Sequence, residues 1–248
     1  MKFHKLICLV ALAVALNSCR SGKGPVVFDP MTLGPAGATL KKYLEREEIA
    51  VPRKEALVSI VKIEASIPNL EKKGHMVAEK TLAPNGHISY EMKSFEGDNT
   101  IKKDVIGRYL SSEQETSEAP TIGINAQNYR FKFKRKDRFG EHAAVVFDLN
   151  PRKNAVGLFK GELWLDEDSG LTLRETGRLV KNPSVIFKTL DFTRDYAFKN
   201  GFPYLALQDS EADTRVIGKV LVRMEFGEPK SSSATNPSAR ASLHGVRH

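Results

Sequence analysis

Alternation of apolar and polar residues, repeated in about ten short segments, most limits how this chain can fold. In the first such segment, Val61, Ile63, Ala65 and Ile67 are separated by polar residues. A period of two places these side chains on one face of a β-strand. The pattern recurs at 75–82, 87–95, 129–133, 143–149, 158–166, 171–180, 185–196, 202–208 and 216–226. The sequence therefore predicts a mainly β (α+β) fold with one large, curved antiparallel sheet.

Short turns and a few helices are expected to connect these strands. Residues 83–86 and 166–170 contain the Gly, Asn, Asp and Pro of tight turns. Leu40, Tyr43 and Leu44 have the spacing of a short amphipathic helix. A second helical pattern places five apolar side chains on one face: Ile101, Val105, Ile106, Tyr109 and Leu110. We expect the acidic, Ser-rich segment 111–120 after it to be a loop.

The apolar sides of the later strands are expected to meet on one face of the sheet. So large a sheet must curl, or pack against something, to bury that face. We therefore predict an unclosed β-barrel whose hydrophobic trough is covered by helices. The candidate cavity residues are Phe131, Phe147, Phe159, Leu163, Leu165, Phe187, Val220, Val222 and Met224. For each of them, ordinary core packing is the alternative interpretation.

The amino terminus has the plan of a secretory signal. Two lysines precede an apolar run at 6–16, which is shorter than the roughly 20 residues needed to span a bilayer. Leu16, Ser18 and Cys19 then resemble the bacterial lipobox, at which a peptidase cuts before a lipidated cysteine. We predict a lipoprotein signal peptide at 1–18 and a lipid anchor on Cys19; an ordinary cleaved signal is the alternative.

Composition sets the remaining domain boundaries. A Gly/Pro-rich segment at 19–38 predicts a flexible tether, and a Ser/Pro/Arg-rich segment at 228–248 predicts a disordered tail. The folded body then covers 39–227. After cleavage Cys19 is the only cysteine left, which excludes a disulfide within the chain and a catalytic thiol in the body.

No motif of a hydrolase, metalloprotease or phosphate-binding loop is present in the sequence. We therefore predict a protein that is not an enzyme and needs no cofactor or metal. If it were an enzyme, His142, Asp166 and Asp168 would be the first residues to test.

Net charge is +8 and the pI is near 9.4, values that admit nucleic acid, anionic lipid or an acidic protein as partner. Because the predicted signal exports the protein from the cytosol, we do not expect nucleic acid as a partner. The densest basic run follows Tyr129 and extends to Arg138. It predicts either a half-buried strand with a solvated face or a specific contact with an anion.

Several strand segments carry an ordered series of signatures, at 139–141, 146–153, 158–166, 182–187 and 192–196. Together they resemble the bacterial outer-membrane lipoprotein-sorting, or Lol-type carrier, superfamily, over about residues 57–226. The resemblance implies lid helices over a cavity that takes the acyl chains of lipoproteins or related lipids. By resemblance to sorting rules, Arg20 in place of Asp implies an outer-membrane anchor with the body facing the periplasm.

The same fold also serves in sensors of envelope stress. The alternative function is therefore a scaffold or stress-sensing lipoprotein that binds another envelope protein.

Overall fold

The computed structural model describes residues 36–48, 55–117, 123–182 and 185–232. The predicted signal peptide, Cys19 and most of the predicted tether and tail lie outside these residues. Eleven strands of the described part form one antiparallel sheet. The predicted fold class is therefore confirmed.

The strands agree closely with the alternating segments of the sequence. They are β1 (Leu57–Ile67), β2 (Lys72–Leu82), β3 (Ile88–Gly97), β4 (Tyr129–Phe139), β5 (His142–Pro151), β6 (Phe159–Asp166), β7 (Thr172–Leu179), β8 (Phe187–Lys199), β9 (Phe202–Thr214), β10 (Lys219–Phe226) and β11 (Lys230–Ser231). Their order across the sheet is β3-β2-β1-β10-β9-β8-β7-β6-β5-β4, and β11 pairs with β1. Strands β3 and β4 lie at the two edges, so the barrel is not closed.

Strand register places the small and apolar residues of neighbouring strands side by side. Ala65 pairs with Val222, Val222 with Ser210, Ser210 with Phe192, and Phe192 with Gly177. We call the face that carries this row the inner face, because Ala65, Phe192 and Val222 are buried there. Charged residues between them, such as those of β1 and β10, point to the opposite, outer face.

Two glycines allow β6 and β7 to approach closely at this row. A Cβ atom on Gly161 would lie 1.9 Å from the carbonyl oxygen of Thr176, and one on Gly177 would lie 2.6 Å from that of Lys160. To admit a Cβ atom at such distances, the carbonyl groups of the neighbouring strand would have to move, which would disrupt the pairing of β6 with β7. Glycine is therefore required at both positions for the sheet to keep its shape.

Helices cover the inner face at two places. Helix α1 (Ala36–Glu48) packs on one half of the sheet, and a π-helical turn (Ile101–Gly107) leading into α2 (Arg108–Ser117) packs on the other. We call the segment from Ile101 to Ser117 the second lid. A 3-10 turn (Pro68–Leu70) links β1 to β2. Among the described residues, no helix is long and apolar enough to cross a membrane.

Each lid closes its own hydrophobic core. The first core lies under α1 and contains Ala36, Leu40, Tyr43, Ile124, Tyr129, Val145, Phe147, Leu149, Leu158, Phe159, Leu163, Leu165 and Phe192. The second core lies under the second lid and contains Val61, Ile63, Ala65, Ile67, Met76, Ile101, Ile106, Leu110, Val222 and Met224. The inner face is therefore filled by the chain's own side chains at both positions.

Three boundaries differ from the sequence-based expectation. The predicted loop 111–120 is helical as far as Ser117, because the Glu113 carboxylate accepts hydrogen bonds from β2 and β3. Helix α1 includes Ala36, which falls inside the predicted tether and is buried in the first core. Strand β11 lies inside the predicted tail and adds to the end of β1.

Candidate functional site

The structure places the predicted cavity residues in two separate cores. Phe147, Phe159, Leu163 and Leu165 are buried in the first core, and Phe131 packs against it. In the second core, Val222 and Met224 are buried and Val220 packs against them. Phe187, at the start of β8, belongs to neither core. These side chains share the inner face, as the alternation predicts, but they do not converge on one hollow.

A group of polar side chains occupies the inner face of β7, β8 and β9. Glu175 and Gln208 are 9% and 4% exposed, values unusual for such residues. One carboxylate oxygen of Glu175 accepts a hydrogen bond from the Tyr196 hydroxyl at 3.0 Å, and the other lies 3.4 Å from a guanidinium nitrogen of Arg194. Arg194 Nε donates to Gln208 Oε1 at 3.0 Å. We call these four residues the central network.

The central network also reaches both lids. The Gln208 amide donates to the hydroxyl oxygen of Tyr109, in α2, at 2.6 Å. On the side of α1, partial desolvation and the charge of Glu175 raise the pKa of Glu47. Burial, Glu47 and Glu175 raise the pKa of Tyr43. Because like charges repel, the nearby Glu175 carboxylate disfavours the ionised form of Glu47.

Burial dominates the electrostatics of the central network. It raises the pKa of Tyr196, and the neighbouring Glu175 carboxylate adds to the effect. Burial alone would lower the pKa of Arg194, but Glu175, Tyr196 and Tyr109 together more than compensate and the net shift is upward. Arg194 therefore stays charged, and the pair with Glu175 neutralises both groups. The arrangement links the sheet to α2 through the hydrogen bond between Gln208 and Tyr109.

Further polar contacts attach each lid to the sheet. In α2, Glu113 accepts hydrogen bonds from Lys80 Nζ and from the Tyr90 hydroxyl, both at 2.6 Å. In α1, the Thr39 hydroxyl donates to the carbonyl of Glu167 at 3.0 Å, and the Tyr43 hydroxyl to that of Ile124 at 3.1 Å. Both lids therefore rest on a few hydrogen bonds in addition to their apolar contacts.

One hollow lies along the outer side of the sheet. This outer groove has a volume of about 1160 Å³ and is open to solvent. Its charged lining residues include Glu64, Lys73, Arg178, Asp191, Asp209 and Arg223. Several form ion pairs across neighbouring strands, such as Arg178 with Asp191 at 2.7 Å and Arg223 with Asp209 at 3.1 Å. Of the predicted cavity residues, Val222 lines it.

A smaller hollow of about 400 Å³ lies at the end of β5 and β6. It is lined by Arg130, Asn150, Pro151, Arg152, Lys153, Asn154, Lys160 and Val180. We call it the cationic hollow, since four of these residues are basic and none is acidic.

The basic run of the sequence forms edge strand β4, and its second half is largely neutralised. Lys134 pairs with Asp148 at 3.0 Å and with Glu162 at 2.8 Å. Arg135 lies 3.3 Å from Glu162, and Lys136 pairs with Glu167. For these residues the structure agrees with a half-buried strand that has a solvated, ion-paired face.

His142, Asp166 and Asp168, the residues to test first for an enzyme activity, all make contacts with other parts of the fold. His142 Nδ1 lies 3.1 Å from Asp166 Oδ2. Asp166 Oδ1 accepts hydrogen bonds from the backbone and hydroxyl of Ser169, which outweigh burial and lower the Asp166 pKa. The carbonyl of Asp168 accepts from Lys42 at 2.6 Å. These are the contacts of a tight turn docked on α1. Within the described residues, no three His, Cys, Asp or Glu side chains group as metal ligands.

Sequence reasoning missed the central network, although the signal was present. Glu175 has the same strand parity as the buried Leu173, and Arg194 has the same parity as Phe192. Polar residues at inward positions of two neighbouring strands predict a buried polar pair. The cationic hollow was missed because its residues come from β4, β5, β6 and a loop.

Comparison with known proteins gives structural neighbours only. No protein-family model matches the chain, and no curated protein matches it. Similar solved structures include a LolA superfamily protein from Nitrosomonas europaea, 14% identical over 79% of this chain and 93% of that chain, with a TM-score of 0.37. A putative outer membrane lipoprotein-sorting protein domain from Vibrio parahaemolyticus is 11% identical over 82% of this chain and 96% of that chain, with a TM-score of 0.41.

A third neighbour is the MucA/MucB complex of Pseudomonas aeruginosa, 12% identical over 80% of this chain and 95% of that chain, with a TM-score of 0.24.

Proposed function

We propose that this chain is an envelope lipoprotein that binds acyl chains of lipoproteins or lipids on its inner face, under the second lid. In this proposal Cys19 anchors it to the outer membrane, and the body faces the periplasm. The observation that carries the proposal is the second core, where Val222, Met224 and their neighbours on β1 and β2 pack against the second lid. Displacing that lid would uncover one continuous apolar surface on an open sheet.

The state with the second lid packed on the sheet and the state with an acyl chain in its place are close enough in free energy to exchange. The second lid contributes three buried side chains, Ile101, Ile106 and Leu110, each worth about 1.5–3 kcal/mol of burial. A chain of about 14 methylenes gains roughly 0.8 kcal/mol for each one that leaves water, or about 11 kcal/mol in all. An acyl chain can therefore replace the lid, provided that the hydrogen bonds of Glu113 and Tyr109 with the sheet also break.

The experiment is a titration of the purified protein with a fluorescent fatty acid. Glu113→Gln weakens the contact of the lid with Lys80, which shifts the population towards the open state. We expect this variant to bind the probe about five- to thirtyfold more tightly than the wild type. Glu45→Gln makes the same chemical change at an exposed site on α1 and should have no effect. Equal, negligible binding by all three proteins would contradict the proposal.

A specific observation favours a second candidate function, the binding of another envelope protein. Both cores are filled, and the charged outer groove is a wide hollow of about 1160 Å³. A photo-crosslinking amino acid at Leu221, inside the groove, should then capture one envelope protein in cells. The same amino acid at the exposed Val216 should not. Capture at Leu221 without fatty-acid binding would favour this function over the first.

A further inference from the structure

Four basic side chains line the cationic hollow without an acidic neighbour in its wall. Arg130 comes from β4 and pairs in register with Asn150 of β5, while Lys160 lies on β6. Arg152 and Lys153 come from the loop between β5 and β6. All four basic residues are exposed. So high a density of like charge, with no carboxylate in the wall, favours an anion in the hollow.

These four cations differ from most basic residues of the neighbouring strands. Lys134, Arg174 and Arg178 each have a carboxylate partner within 3.0 Å. Within the described part of the chain, no ion pair joins Arg130, Arg152, Lys153 or Lys160 to a carboxylate. Their charges are therefore not neutralised by the fold.

One of the cations is held in place by the backbone. Arg152 Nε donates to the carbonyl of Ala126 at 2.9 Å and to that of Tyr129 at 3.1 Å. Only Nε is used in these bonds, so the two terminal nitrogens of the guanidinium remain for a ligand. The Asn150 and Asn154 amides add further donors to the wall. A fixed guanidinium beside two lysines and two amides matches the oxygens of a phosphate group.

We propose that the cationic hollow binds a phosphate group, supplied by an anionic phospholipid headgroup or by a soluble phosphate. The volume of about 400 Å³ leaves room for a phosphate with its glycerol substituent. The outer groove does not offer such a site, because its cations alternate with carboxylates. This binding is independent of acyl chains on the inner face, since Arg130 and Lys160 point to the outer face.

The experiment is amine-reagent footprinting of the lipidated protein, read by mass spectrometry. The protein is anchored in vesicles of phosphatidylglycerol or of phosphatidylcholine, or is kept in neutral detergent with inorganic phosphate. Lys153 and Lys160 should be protected at least threefold by one of the two phosphate sources relative to phosphatidylcholine. Lys62, on the outer face of β1 and five strands away from β6, is the internal control.

The pattern of protection identifies the source. Protection in phosphatidylglycerol vesicles alone assigns a lipid headgroup, whereas protection by inorganic phosphate assigns a soluble ligand. Lys160→Gln should weaken the protection of Lys153 about fivefold, and Lys62→Gln should leave it unchanged. No protection from either source, or equal protection of Lys62, would overturn the proposal.

Discussion

Replacing Leu163 with Asp tests whether the inner face is dry. Leu163 is fully buried in the first core, beside Phe147 on β5 and Glu175 on β7. Truncating a buried leucine costs about 3–5 kcal/mol. At pH 7 the new carboxyl must also be protonated or buried as a charge. Protonating a group of pKa about 3.9 at pH 7 costs roughly 4.2 kcal/mol. This value is an upper limit on the cost of placing the new carboxyl group in the core.

The Leu163→Asn variant separates these two costs, because it has the same size and carries no charge. We expect the Asp variant to be about 4 kcal/mol less stable than the Asn variant at pH 7. The gap should fall to about 1.5 kcal/mol at pH 5, since the folded-state pKa of the new Asp is raised and its protonation becomes cheaper.

Urea unfolding, followed by circular dichroism and by the fluorescence of the single tryptophan, Trp164, measures both variants between pH 5 and pH 7. If the Asp variant does not fold at pH 7, measurements between pH 5 and pH 6 show how the difference in unfolding free energy between the two variants changes with pH. Equal stability of the two variants over this range would refute the reasoning. It would mean that water reaches Leu163.

Three further predictions concern the anchor, the sheet and the tyrosines. Cys19→Ala should leave an uncleaved or soluble form instead of a membrane-bound mature protein, and wild-type processing that resists globomycin would contradict the anchor. Gly161→Val should destabilise the fold by about 3 kcal/mol or more in urea unfolding, because its Cβ meets the carbonyl of Thr176. Burial raises the pKa of five of the six tyrosines, including Tyr196. The folded state then binds more protons than the unfolded state above about pH 10, so stability should fall there, and tyrosinate absorbance should rise together with unfolding.

The strands could be predicted from the sequence because alternation is a local property. Val61, Ile63 and Ala65 are buried with polar residues between them, as a period of two requires. The second lid was predicted for the same reason, since Ile106 and Leu110 follow the spacing of one helix face. The end of α2 could not be predicted, because Glu113 owes its place to Lys80 and Tyr90, which are distant in sequence.

The candidate site was harder to predict than the fold. Alternation assigns Met224 and Leu163 to one face but does not show that two lids divide that face into two cores. Its strand segment and aromatic side chain make Phe187 a candidate cavity residue, yet a register shift after it, opposite Thr214, separates it from the regular part of β8. Strand parity places Glu175 and Arg194 on the inner face, but it does not specify the register of β7 and β8 that sets them opposite each other.

A photoactivatable fatty acid tests the central claim most directly. After irradiation with the wild-type protein, the labelled residues are mapped by mass spectrometry. The account predicts labels on side chains that the second lid covers, above all Ile63, Met76 and Met224. Labels confined to residues already exposed, or the absence of any label at saturating probe, would contradict it.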